Sequence, residues 1–431
     1  MQQYKQEWFG NIRGDILAGI VVCLALFPEV IGFMIVAGVP PIVGVYATFF
    51  ITAIAAFFGS SKGMISAAAG SVALVLAHLV AEYGIQYLFA TTILAGILQV
   101  ALGSLKVGTL MRYIPKPVMT GFVNGLGIMM FTSQLDHFQG SLLLPLLGLL
   151  GIAIIFLFPR VTNKIPAPIV AIFVITAIVL GFGLDVKTLG DMGSISTDLP
   201  RFGIPAVPMK LETLRIIFPT ALSVAIVGLV ESLLTAQLVD EITEEKSDKN
   251  QETLSQGLGN VVSGFFGGIA GCGMIGQTII NLNYGGLGRL ATFLSGFFML
   301  LSVVLLNGSV VQIPVVALAA VMVVVSIETI NWDSIKLLRT NPKNESFAMI
   351  LTVAIVIGTH NLAYGVVAGT LVSAVFAAFK MSHLHVATGT ADDDHHYKVD
   401  GHLYFASAEK FLDFFAEEIE QEAEIAIDIS A

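Results

Sequence analysis

Ser66-Ala67-Ala68-Ala69-Gly70-Ser71 and Gly271-Cys272-Gly273-Met274-Ile275-Gly276-Gln277-Thr278 are two small-residue interruptions in an otherwise continuous series of hydrophobic spans. Each opens an apolar segment too short to cross a bilayer as a helix. Paired broken segments at corresponding positions of two halves point to a transporter's binding site. Unwound backbone can line a cavity there, and half-helix N-termini offer free N–H groups and a positive dipole end to an anion.

The surrounding composition is that of a polytopic membrane protein. The chain is 55% hydrophobic and 12% charged, against roughly 25% charged residues in soluble domains. Its formal charge of −10 comes largely from two acidic stretches. One is the loop with Asp240, Glu241, Glu244, Glu245 and Asp248, and the other is the C-terminal tail. No basic stripe with interleaved aromatics is present, which points away from nucleic acid. The two cysteines, Cys23 and Cys272, sit in apolar surroundings. They support neither a metal site nor a disulfide framework, and read as small buried hydrophobes. The polar start, 1–13, leads into a long apolar run without a cleavage site and is expected to precede a retained first span.

Allowing about 20 residues per span, spans fall at 14–36, 41–59, 66–81, 85–106, 114–133, 141–159 and 165–184. A second set falls at 211–237, 252–270, 274–284, 288–307, 312–330, 345–359 and 361–380. The polar segment 185–210 between them reads as an extracellular connection. With the N-terminus inside, nearly all Lys and Arg outside that segment and its border face the cytoplasm, which sets the orientation. Both termini are then cytoplasmic. The third span of each half is the interrupted one, and the fifth spans open with Ile114-Pro115 and Ile313-Pro314. Seven spans per half put the two repeats, 14–184 and 211–380, in opposite orientations. The expected fold is all-α and polytopic: 14 transmembrane segments as a 7+7 inverted repeat.

Beyond 380 the character changes. Residues 381–396 read as a polar linker whose His and Asp residues have irregular spacing and make no metal site. Residues 397–405 alternate like paired strands turning at Asp400-Gly401. Residues 408–422 are helix-like, and 424–430 read as another strand. A β-β-α-β start of about 40 residues is below the usual length of an independent domain, so a domain cut short is expected.

Glu231 lies within the eighth span, where an ionisable group is costly and a functional candidate. Thr235, one turn on, shares its face. A carboxylate with a hydroxyl nearby suits a cation or a titrating proton, and the desolvated position favours the proton. The bland alternative is an interhelical hydrogen bond that fixes packing. Glu29 follows Pro28 in the first span and either faces the same cavity or packs in a vestibule. Gly271, Gly273 and Gly276 spell G-x-G-x-x-G, but no strand of a βαβ unit precedes them and no acidic residue follows at the required distance. Their use is close backbone approach. The amides of Gly276, Gln277 and Thr278 are expected to face a cavity, with Ala69, Gly70 and Ser71 opposite. The alternative is tight packing of small residues. Asn124, Gln134, His78 and Asn281 read as interhelical hydrogen-bond partners. No phosphate-binding loop or catalytic constellation is present, so the chain does not read as an enzyme.

Several motifs resemble the sulfate permease (SulP) family of inorganic anion transporters. These are Asn11-Ile12-Arg13-Gly14-Asp15, Phe122-Val123-Asn124-Gly125, Lys164-Ile165-Pro166-Ala167-Pro168 and Glu231-Ser232-Leu233-Leu234-Thr235. Val399-Asp400-Gly401 with Phe405-Ala406-Ser407-Ala408 resembles the start of that family's cytoplasmic STAS domain, making 397–431 a partial STAS-like segment. The resemblance implies a core (spans 1–4 and 8–11), a gate (spans 5–7 and 12–14) and a homodimer working as an elevator. It places substrate between the starts of spans 3 and 10, with spans 1 and 8 beside it. Substrate contacts then fall to Glu29, Ala69, Gly70, Ser71, Gly276, Gln277 and Thr278, and ion coupling to Glu231, Ser232 and Thr235. Many relatives carry Arg where Gln277 stands, and sodium-coupled members carry Asp where Glu231 stands. The expectation is a proton-coupled symporter of a small inorganic anion, bicarbonate or sulfate, in the cell's inner (plasma) membrane. It needs no cofactor or metal. The alternatives are sodium-coupled bicarbonate symport, anion exchange, or a membrane anion sensor signalling through its tail.

Overall fold

In a computed structural model, the structure describes residues 2–109, 114–162, 166–192, 199–340, 342–381, 385–388, 396–400, 412 and 426–428. The first half runs α1 (Gln2–Phe9), α2 (Ile12–Ala37), α3 (Pro41–Phe58), β1 (Ser66–Ala68), α4 (Gly70–Tyr83), α5 (Ile85–Ser104), α6 (Lys116–Gln134), α7 (Leu143–Leu157) and α8 (Ala167–Phe182). The second runs α9 (Leu211–Thr243), α10 (Lys249–Phe265), β2 (Gly271–Gly273), α11 (Ile275–Asn283), α12 (Arg289–Val310), α13 (Val315–Thr329), α14 (Ser334–Thr340), α15 (Lys343–Thr359) and α16 (Leu362–Met381). Every expected span meets a helix, and α1 and α14 are additional.

Local chemistry sets many of the boundaries. Asn11 caps α2 by accepting from the Gly14 amide, and Gly38 ends it in the left-handed conformation at φ +70°, a frequent helix stop. Prolines stand in the first turns of α3, α6 and α8, where their missing N–H is harmless. Pro115 and Pro314 occupy the position just before α6 and α13, matching points of the two halves.

Among the described residues, six helices are long and apolar enough to cross a membrane, and four shorter ones are also apolar. The helices expected at 114–133, 252–270, 274–284 and 345–359 belong to neither group. Of these, α10 explains itself. It buries Glu252, Gln256, Asn260 and Ser263 inside the protein, so its polarity faces partners rather than lipid.

The helices pack in two groups. In one, α10 lies against α5 and α3, α12 against α2 and α3, and α9 against α5 and α4. In the other, α15 lies on α6 and α16, and α13 on α6 and α7. The groups meet where α2 touches α13 and α8, α4 touches α6, and α9 touches α16. Asn124 of α6 donates to Ser334 Oγ (2.8 Å) and accepts from the Asn331 amide (2.8 Å), fastening the turn into α14.

The tail differs from expectation in its pairing. β3 (His385–Thr388) lies inside the stretch read as a linker and pairs antiparallel with β4 (His396–Asp400). β4 therefore finds its antiparallel partner before it in the chain. β5 (Ala426–Asp428) joins β4 in parallel. Val386 and Thr388 supply the β-branched content, which the surrounding His and Asp residues masked. The expected second strand after Gly401 lies outside the described residues, as does the 408–422 helix except for Leu412.

Candidate anion and coupling site

The two interruptions meet. β1 and β2 pair antiparallel with Ser66 opposite Gly273, Ala67 opposite Cys272 and Ala68 opposite Gly271. The ladder continues through Met274 N–H to Ile65 O at 2.8 Å. A Cβ on Gly271 would fall 2.1 Å from the Ala67 carbonyl oxygen, so glycine is required for this approach. Each strand feeds a helix directly, so the starts of α4 and α11 are brought together in space from opposite halves of the chain.

Ala69 stands before α4 in an extended conformation, and its carbonyl already accepts from the Ala73 amide. The amides at this start without an acceptor inside the helix are those of Ala69, Gly70, Ser71 and Val72. In α11, the corresponding amides belong to Ile275, Gly276 and Gln277. Thr278 is corrected here: its amide bonds Met274 O (3.0 Å) and its hydroxyl accepts from Ile65 N (3.0 Å). It holds the frame and offers no free amide.

The two starts are not equally open. The Phe33 ring of α2 covers Gly70, with its nearest carbon 2.6 Å from where a Cβ would stand. Gly276 is exposed, and a Cβ there would meet nothing within 4 Å.

Both carboxylates reach a helix start contributed by the other half. Glu231 of α9 accepts from the Ser71 hydroxyl in the first turn of α4, and from Cys272 Sγ at 3.1 Å. Glu29 of α2 is hydrogen-bonded by Gln277 in the first turn of α11. Each carboxylate thus sits where a helix dipole and free amides favour negative charge. Ser71, Cys272 and Gln277 are almost wholly buried.

Ser232 and Thr235 act differently from expectation. Ser232 Oγ accepts from Gly273 N (2.8 Å), and Thr235 Oγ1 donates to Glu231 O (2.8 Å) and Gly273 O (3.2 Å). Their hydroxyls bind backbone, because β2 has an outer edge that needs partners. Of the other polar groups singled out, Asn281 ties Gly63 O and Gly286 O (2.8 Å each). Gln134 bonds only its neighbour Ser133 among the contacts described, and His78 is exposed beside Glu82.

Cys272 was missed as a site residue because free cysteine usually packs as a hydrophobe. Its place inside the interruption was the available signal. The partners that hold the strand pair were missed too. Glu252 accepts from the amides of Ser60 (2.8 Å) and Ser61 (3.1 Å), and Gln256 donates to Ser66 Oγ (2.7 Å). Asn260 grips Gly271. Their i, i+4 spacing on α10 makes one polar row, legible in a chain so poor in charge.

The sulfate permease family model matches residues 12–142 and 142–353. The chain belongs to the sulfate permease family. This permease is 50% identical over 432 residues to YbaR of Bacillus subtilis (strain 168), a protein named as a candidate sulfate transporter. The match covers 99% of the permease and 89% of YbaR. It is 28% identical to the bicarbonate transporter BicA of Picosynechococcus over 89% of its own length and 73% of BicA. The transmembrane domain of a cyanobacterial BicA superposes with a TM-score of 0.74 at 26% identity, covering 85% of the permease and 98% of that chain. Murine Slc26a9 in the inward-facing state shares the fold at a TM-score of 0.83 and 18% identity, covering 100% of the permease and 82% of that chain. The permease is thus a mostly helical, multi-pass membrane transporter and not an enzyme.

Proposed function

We propose that this permease is a secondary transporter of a small inorganic anion, sulfate or bicarbonate, driven by protons through Glu231. The observation that carries the reading is the crossed contact of Ser71 with Glu231 beside the β1–β2 pair. It joins a titratable carboxyl to a helix start suited to an anion. The names of YbaR and BicA support the choice of anions.

In this mechanism the anion binds between the first turns of α4 and α11. An ionised Glu231 opposes it twice, by its charge and by holding the Ser71 hydroxyl. A proton on Glu231 removes the charge and frees the neighbouring dipole end for the anion. Proton and anion then load together, and a partly loaded carrier crosses less readily than an empty or full one. Gln277 contributes dipoles but no fixed charge, so the resident carboxyls govern the electrostatics.

The matched helix order supports a 14-span inverted repeat. In it the group around α2, α9 and α10 forms a core that moves, elevator fashion, against the group around α6, α13 and α15. A homodimer in the inner (plasma) membrane with cytoplasmic termini belongs to the same reading, as does a partial STAS-like tail built on β3–β5.

Uptake of labelled sulfate and bicarbonate into proteoliposomes under imposed pH or sodium gradients tests it. An inward proton gradient is expected to drive accumulation. Uptake that follows sodium and ignores pH makes the carrier a sodium symporter, and gradient-independent counterflow makes it an exchanger. Anion binding without flux makes the protein a sensor.

A further inference from the structure

We infer that Asn260 is a positioning residue of the transport site, acting through the backbone of β2. The inference rests on the site assignment proposed above.

β2 is only three residues long, and β1 covers one of its edges. At Gly271 the other edge is satisfied by a side chain. Asn260 Oδ1 accepts from Gly271 N (2.8 Å), and Asn260 Nδ2 donates to Gly271 O (3.1 Å). One amide group serves both backbone polar groups of one residue, as a neighbouring strand would. The other edge contact lies two residues on, where Ser232 and Thr235 take Gly273. Cys272 sits between these two clamps and touches Glu231.

Asn260 is itself fixed. Its Nδ2 also donates to Gln99 Oε1 of α5 (2.8 Å), and Gln99 Nε2 reaches Ala225 O of α9 (3.4 Å). Asn260 and Gln99 are fully buried. The contacts close a ring: α9 at Ala225, Gln99, Asn260, Gly271, Cys272, Glu231 and α9 again. The position of the Cys272 thiol against the carboxylate is therefore set from two sides of α9. Neither Asn260 nor Gln99 touches the carboxylate. Their influence on anion and proton passes through where they hold β2, and through it the start of α11.

Losing a buried hydrogen-bonded amide and leaving Gly271 unpaired is expected to matter at the level of roughly tenfold in an equilibrium. The test is uptake kinetics of Asn260→Leu, which keeps the branching and number of side-chain heavy atoms and removes the polar groups, against wild type in proteoliposomes. Thr352→Val serves as control, because it removes a buried hydroxyl that bonds only within α15, to Ala348 O. The expected result is an anion KM raised about tenfold together with a shifted pH midpoint of uptake, while Thr352→Val changes neither.

A purely structural role would lower Vmax through the amount of folded carrier and leave KM and the pH midpoint at wild-type values. That outcome overturns the inference. If Asn260→Leu does not reconstitute, Gln99→Met decides, because it removes the partner of Asn260 and the tie to Ala225 O while leaving both Asn260 contacts to Gly271 in place. A smaller KM shift in the same direction supports the inference, and wild-type KM and pH midpoint overturn it. Failure of the function reading looks different, since it is read on wild-type protein alone, as no uptake, uptake that follows sodium, or counterflow without a gradient.

Discussion

The Ser71 hydroxyl donates to the Glu231 carboxylate, joining residues 160 apart in the chain. Ser71 belongs to the first turn of α4 and Glu231 to the middle of α9, so the contact crosses from one half of the sequence to the other. Gln277 and Glu29 make the reciprocal contact. A change of charge on either carboxyl is therefore felt at a helix start built by the opposite half. In the mechanism proposed above, this contact is the route by which proton occupancy and anion occupancy become one equilibrium.

Glu231→Gln removes the titratable proton while keeping a polar side chain of the same length. Gradient-driven accumulation should vanish, while anion exchange or binding survives in part. The measurement is uptake with and without an imposed pH gradient. Unchanged concentrative uptake would remove Glu231 from the coupling step.

Gly271 and Gly276 should respond unequally to alanine. At Gly271 the new methyl meets the Ala67 backbone, so the strand pair must shift, costing about 1–3 kcal/mol by overpacking. At Gly276 the methyl meets nothing, and stability should change by no more than ~0.5 kcal/mol. Thermal melting in detergent separates the two, and equal melting temperatures would contradict the strand geometry.

Near the start of the chain, Glu7 of α1 bonds Arg289 Nε at 2.8 Å and lies 3.6 Å from Lys62. Burial opposes its charge, but the Arg289 hydrogen bond and charge, with help from Lys62, outweigh it. The Glu7 carboxyl is thus held below its ordinary value. A lowered carboxyl contributes stability above its unfolded pKa and loses that contribution as pH falls through the folded value. Glu7→Gln should therefore melt about 2 °C below wild type near neutral pH, with the difference closing below about pH 4. A gap that persists in acid would show packing, not charge, at work.

The fourteen apolar segments, the two interruptions and the candidate carboxyls were legible because each is a local signal. Twenty apolar residues, a run of small residues or an acid within a span can be seen without knowing any neighbour. Thr278, Ser232 and Thr235 were legible as polar groups near the right place, but not as backbone clamps. Which acceptor a hydroxyl finds depends on an edge of β2 that exists only after folding. Cys272 was read as inert for the same reason: a thiol surrounded by glycines looks apolar until Glu231 arrives beside it. The linker carried an unexpected strand, β3, because four residues make a weak pattern and pairing with β4 supplies most of the stabilisation.

Hydropathy and the spacing of polar breaks were sufficient for the membrane class and for where the apolar helices and the two breaks fall, since lipid imposes those constraints residue by residue. Three-dimensional packing chose which half-site lies open and which lies under Phe33. It also chose which amides are spent inside a helix, and which carboxyl serves which helix start. Those choices rest on contacts between residues far apart in the chain. They depend on distances of a few ångströms that no local pattern of residues encodes.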